Sequence, residues 1–149
     1  MVSSVSFPRL FTVEEANALL PAVRTLAEMI RENILQLRNQ SQAIVRHEHL
    51  DPDSTDFMDR LQKNAAVAQL VAAVKSCVEQ IQSYGCICKG VEQGLIDFPC
   101  LLGAEVVLLC WQLGEPTVGY WHRIEDGFAG RRPLLDGEQT GPGGKASYH

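Results

Sequence analysis

Between Pro21 and His47 the chain repeats an apolar seam at alternating four- and three-residue steps: Val23, Ala27, Ile30, Ile34, Leu37, Ser41 and Ile44. That spacing keeps one side chain per turn on the same stripe of a helix and is the pattern of coiled-coil packing. A helix from Thr12 to about His47 is roughly 50 Å long at 1.5 Å per residue. A compact body of 149 residues has a radius of gyration near ~15 Å. Such a helix projects beyond the body it belongs to and needs a partner of similar length.

The start of that helix is written in a capping box, Thr12 followed three residues later by Glu15, in which hydroxyl and carboxylate each take the other residue's backbone amide. Glu14 and Glu15 also complement the positive end of the helix dipole. Pro21 removes one backbone donor inside the apolar pattern and predicts a kink or a restart. The break falls over residues 47–56, where Asp51-Pro52-Asp53-Ser54 is turn chemistry. Ser54 or Thr55 can cap a second helix, predicted to run to Tyr84 and stop at Gly85. Val67, Leu70, Val74, Cys77, Ile81 and Tyr84 form its main stripe, and Ala65, Ala68, Val71, Ala72 and Val78 widen it. A stripe that broad exceeds what one helical partner covers, so a homodimer is expected.

From Cys86 the pattern changes to short runs between glycines. Cys86–Val91 and Leu95–Phe98 read as strands across Glu92-Gln93-Gly94, and Ala104–Trp111 and Thr117–Ile124 as a second hairpin. A five-residue loop at 112–116 sets Trp111 opposite Thr117, Val107 opposite Trp121 and Glu105 opposite Arg123, the last a match of opposite charges. Both faces of this hairpin are largely apolar, which predicts a sheet covered on both sides. Residues 136–149, rich in glycine and polar side chains, predict a flexible tail. The fold class is therefore α+β. A long antiparallel helical hairpin (about 12–84, kinked near Pro21) precedes a small, mainly antiparallel sheet (about 86–133), in a single domain over 1–135.

Composition restricts the function. Eighteen acidic against thirteen basic residues leave a net charge of −5, with no basic stripe to displace counterions from a phosphate backbone, so no nucleic-acid partner is expected. No stretch approaches the ~18–20 apolar residues that span a bilayer, and Met1–Ser6 lacks the basic start and apolar core of a secretory signal. The five cysteines sit in apolar runs, as reduced buried thiols do. A cytoplasmic location with no membrane partner is the expectation.

His122 is the residue with most chemical potential. By alternation it shares a face with Val106, Leu108, Cys110, Val118, Tyr120 and Ile124, and a part-buried neutral imidazole can bind metal or act as a base. Asp97, Glu105, Asp126 and Cys110 all fall within reach of one small sheet, which makes His122, Asp97, Glu105 and Asp126 the catalytic candidates. The simpler reading of His122 is a core histidine hydrogen-bonded to a carbonyl or carboxylate. Cys86-x-Cys88 lacks the second pair of a structural zinc site, and His47-Glu48-His49 has its imidazoles two apart, pointing different ways on a helix. The spacing thus assigns no metal ligands, and no cofactor fingerprint is present. Gly127-Phe128-Ala129-Gly130-Arg131-Arg132 joins a glycine-shaped turn to two guanidinium groups able to hold an anion, although a turn with solvated arginines is the simpler reading. Trp111, Tyr120, Trp121 and Phe128 can line a pocket, anchor an interface or form the core.

Several of these segments together resemble one family. Phe11-Thr12-Val13-Glu14-Glu15-Ala16-Asn17-Ala18-Leu19-Leu20-Pro21 is similar to its opening. Gly94-Leu95-Ile96-Asp97-Phe98-Pro99, Leu109-Cys110-Trp111-Gln112-Leu113-Gly114-Glu115, Tyr120-Trp121-His122 and Gly127-Phe128-Ala129-Gly130-Arg131 continue the likeness. The family is the bacterial domain of unknown function 2203, and the match runs from Phe11 to Pro133. It implies a bacterial-type soluble domain and no reaction. It does set Asp97, Trp111, Glu115, Trp121, His122 and Arg131 inside family-like motifs, and Trp111, Glu115, Trp121 and Arg131 are the ligand-binding candidates. Two functions follow. The favoured one is a non-enzymatic dimer that binds a protein or a small molecule. The alternative is a metal-assisted or acid/base hydrolase-like enzyme built around His122.

Overall fold

A computed structural model describes residues 7–134; the tail expected over 136–149 lies outside the described residues. Helix α1 spans Val13–Glu48, with Thr12 as its cap. The Thr12 hydroxyl accepts from the Glu15 amide at 3.0 Å, and Glu15 Oε1 accepts from the Thr12 amide at 2.8 Å. The helix continues unbroken through Pro21, so of the expected kink or restart the restart does not occur. Asn17, whose carbonyl loses its usual donor at Pro21, instead uses its side chain. Its Oδ1 accepts from the Val118 amide at 2.8 Å and its Nδ2 donates to Val13 O at 3.1 Å. The seam is borne out at Val23, Ala27, Ile30 and Ile44, all buried.

The second helix is not one element. Helix α2 covers Phe57–Gln62 and helix α3 covers Ala65–Ser83. The break has a local cause: Asn64 Oδ1 accepts from the amides of Ala66 and Val67 at 3.0 and 3.2 Å, restarting the helix ten residues beyond the expected cap. Ser54 instead hydrogen-bonds the Asp56 carboxylate, and α2 has no side-chain cap. Helix α3 ends as expected at Tyr84, followed by Gly85 at φ +97°. A Cβ there would lie 2.9 Å from Arg9 Cβ, so both the dihedral and the packing require glycine.

Five strands form a meander in the order β1-β2-β3-β4-β5: Ile87–Gly90, Leu95–Leu102, Glu105–Gln112, Tyr120–Arg123 and Arg132–Pro133. Neighbouring strands are antiparallel throughout. Phe11 extends the edge of β2 by a parallel bridge to Cys100, beyond the reach of β1. Register in the β3–β4 hairpin is corrected by two residues: Val107 faces Arg123 and Leu109 faces Trp121. A two-residue shift keeps every side chain on its expected face. The Glu105–Arg123 pair survives as a diagonal contact at 3.0 Å.

The two faces of the sheet differ. Ile96, Phe98, Cys100, Leu102, Val107, Leu109, Trp111 and Trp121 form one core with Ala16, Leu20, Val23, Ala27 and Ile30 of α1 and Cys77 and Ile81 of α3. The other face carries Asp97, Pro99, Leu108, Cys110 and His122, all nearly inaccessible, and none belongs to the cluster formed with the helices. The expected cover on both sides is therefore helical on one side only. A smaller cluster of Ile44, Leu50, Leu61 and Val67 closes the far end of the helices.

Candidate functional site

Asp97 and His122 are the buried polar side chains among the described residues, at 1% and 3% exposure. Their positions follow from the register. Asp97 faces Cys110 across β2–β3, and Cys110 faces Tyr120 beside His122 on β4. Three adjacent strands thus bring a carboxylate, a thiol and an imidazole onto one patch of the sheet. A carboxylate oxygen, the Cys110 sulfur and a ring nitrogen of His122 all lie within 4.8 Å of one another.

The protonation logic of this patch is set by one backbone carbonyl. His122 Nδ1 lies 2.8 Å from Arg123 O. A carbonyl only accepts, so Nδ1 carries the hydrogen, and Nε2 is bare in the neutral ring and a donor in the imidazolium. Nε2 is 3.2 Å from Asp97 Oδ2, yet the contact lacks hydrogen-bond geometry, and both Asp97 oxygens are without a hydrogen-bond partner. A contact this close is accommodated by a proton on either atom, as in an imidazolium–carboxylate pair, or by a cation beside both. Burial raises the Asp97 pKa above the usual carboxylate range, against the lowering influence of His122, Lys89 and the Cys110 thiol. Burial, and then the neighbouring Asp97 charge, push Cys110 up to about 12. A proton can reconcile one pair of these atoms; a metal ion can reconcile all of them, and its charge reverses the direction of both shifts.

The patch opens into a cavity of about 100 Å³, walled by Leu95 and Phe128 as well as the three polar side chains, with Lys89 and Asp126 also on its lining. Asp126 is set there by a tight turn after β4. Its amide donates to Arg123 O at 3.0 Å, the same carbonyl that orients His122. Gly130 packs against it so closely that a Cβ would lie 3.0 Å from Asp126 Cβ. Lys89 shares the Asp97 face with Ile87 by alternation, and a register shift leaves it as an extra residue, since Cys88 pairs with Ile96 and Gly90 with Leu95.

The turn is held down by Arg131. Its guanidinium makes a bidentate pair with Glu115, 2.8 Å at each nitrogen, and donates to Cys110 O at 3.1 Å. It also stacks on Tyr120 and Phe128, 3.9 and 4.5 Å from their ring centroids, while its Nε has no acceptor. Burial alone would raise the Glu115 pKa, but the hydrogen bonds from Arg131 and the Gln112 amide outweigh it and hold the carboxyl below its ordinary range.

Of the sequence candidates, the fold brings His122, Asp97 and Asp126 to one cavity. It does not bring Glu105, which lies on the helix side of the sheet bonded to Arg123. Glu115 and Arg131 bind each other, close to the backbone of Cys110. Trp111 is fully buried in the helix-facing core, its indole donating to Glu115 O at 2.9 Å, and Trp121 belongs to the same core. Cys110 and Lys89 are the additions. Alternation had already put Cys110 on the face of His122, and in β1 it likewise puts Lys89 with Ile87 on the face of Asp97. The five cysteines are free thiols. Cys86 is in the core and Cys88 packs against it, as expected of small apolar residues.

The profile of the family of uncharacterized conserved proteins DUF2203 matches residues 9–134. No curated protein and no solved structure matches the chain. The matched segment covers all of the sheet, the helices and the cavity, and the chain belongs to that family.

Proposed function

We propose that this member of the DUF2203 family is a metal-dependent protein of hydrolytic type, with Asp97, Cys110 and His122 holding the ion and Asp126 acting as the base. The observation that carries the reading is Asp97: a carboxylate at 1% exposure, both oxygens lacking a hydrogen-bond partner, facing a thiol and an imidazole nitrogen. A buried carboxylate that keeps its charge costs several kcal/mol unless a proton or a cation compensates it. One thiolate, one imidazole and one carboxylate suit a divalent ion of zinc type, with ligand atoms about 3.3–3.7 Å apart in a tetrahedron of the usual bond lengths. The 3.2 Å separation of Nε2 and Oδ2 is close to that span. Arg123 O serves as the outer partner that fixes the ring of a ligating histidine.

With Asp97, Cys110 and His122 as its ligands, an ion held here would supply the acidity that catalytic zinc sites give to water near neutral pH. Asp126 lies on the same cavity with no cation paired to it among the described residues, and in a hydrolysis it would hold the proton taken from water and return it to the leaving group. Sequence patterns alone favoured a non-enzymatic binder; the convergence of three ligand types in a lined cavity supports the alternative.

The test is a Co²⁺ titration of chelator-treated protein. A saturable thiolate-to-metal charge-transfer band with about one ion per chain supports the site, provided that Cys110→Ser removes the band. Protein that takes up no Co²⁺, or a Cys110→Ser variant with an unchanged spectrum, overturns it.

A second reading concerns assembly. Ala65, Ala68, Val71 and Ala72 of α3 are exposed, with Val71 at 41%. A small-residue apolar surface on a long helical hairpin suits a second copy of the same chain, and it is compatible with the metal reading.

A further inference from the structure

The proposed metal centre leaves open what enters the cavity, and the lining narrows this. Lys89 is the cation on that lining; it makes no hydrogen bond or close ion pair among the described residues, and its charge acts on Asp97 from a distance. The other cations near the hairpin are committed: Arg131 to Glu115 and Cys110 O, Arg123 to Glu105. Lys89 forms no ion pair with Asp126, although both line the same space. Strand alternation sets Lys89 on the same face as Ile87, which pairs with Asp97, and the register shift between Cys88 and Gly90 leaves Lys89 itself without a partner residue on β2.

Resting on the metal reading above, we propose that Lys89 is a specificity residue and that the cavity takes a small aliphatic carboxylate, its anionic group between Lys89 and the ion and its carbon chain against Leu95 and Phe128. The volume sets the size. A cavity of about 150 Å³ accommodates benzene, so about 100 Å³ suits a ligand of on the order of five heavy atoms. The lining sets the chemistry. A phosphate group is held by several converging donors, an arginine fork or a nest of backbone amides. Here one lysine, a point charge, stands beside two apolar walls.

The experiment uses the full chain loaded with Co²⁺ and follows its visible spectrum during titration with acetate, propionate, butyrate and inorganic phosphate. The expected result is a saturable spectral change with the carboxylates, tightest for propionate or butyrate. Lys89→Gln should weaken carboxylate binding about tenfold, an ordinary loss for one ionic contact, while Co²⁺ stoichiometry and the thiolate band persist. Carboxylates that leave the spectrum unchanged, or a Lys89→Gln variant that binds them like the parent, overturn the inference with the metal reading intact. Phosphate binding more tightly than propionate overturns the carboxylate class. A chain that takes up no Co²⁺ overturns the reading on which the inference rests.

Discussion

A buried carboxylate with neither oxygen hydrogen-bonded is an expensive thing for a fold to keep, and Asp97 invites a direct question about cost. If it serves a ligand, the metal-free protein pays for it. Asp97→Asn keeps the shape and removes the charge, so in chelator it should be at least as stable as the parent in a urea titration, while binding metal at least tenfold more weakly. A loss of several kcal/mol would instead make Asp97 the structural partner of His122. The parent should gain stability with Zn²⁺, about 2.7 kcal/mol at a hundredfold excess over the dissociation constant, and Asp97→Asn should not.

At the scale of elements, the clamp between Glu115 and Arg131 ties the β3–β4 loop to the turn that carries Asp126 and Phe128. The Glu115 pKa is depressed in the folded state, so its stabilisation is complete above the ordinary glutamate range and disappears as pH falls through the lower folded value. Glu115→Gln should therefore cost about 1–3 kcal/mol at neutral pH and flatten the acid limb of the stability profile; an unchanged limb would deny the clamp its role. The helix break has an equally local handle. Asn64→Ala removes two accepted amides and should cost about 1 kcal/mol in thermal unfolding, whereas substitution of Ser54 should cost little. These cases also mark what could be read in advance. Thr12, Glu15 and Gly85 act through their own neighbours, and their roles were legible. Asn64 was not, because apolar periodicity runs on through it and a mid-pattern asparagine looks like a surface residue. The hairpin register was misplaced by two because the Glu105–Arg123 charge match holds diagonally as well as directly, while face assignment, which depends only on parity, held.

Over the whole molecule, the helices cover one face of the sheet and leave the other to chemistry. His122, Asp97 and Asp126 were legible as candidates because strand alternation and a short loop bring them together. Glu105 was misjudged because parity sends it to the helix side, whereas parity in β1 sets Lys89 on the face of Asp97, where its role went unread. The exposed small-residue face of α3 predicts a dimer at micromolar concentration by light scattering, and Val71→Glu should give monomers with the metal site intact; a parent that is monomeric throughout contradicts that assembly. No helix of the described residues is long and apolar enough to cross a membrane. The central claim is the metal centre, and elemental analysis of the purified chain after Zn²⁺ loading and extensive dialysis tests it most directly. The account predicts about one Zn²⁺ per chain, falling to background in both Cys110→Ser and Asp97→Asn. Retention below a tenth of an equivalent by the parent, or equal retention by the variants, would contradict it.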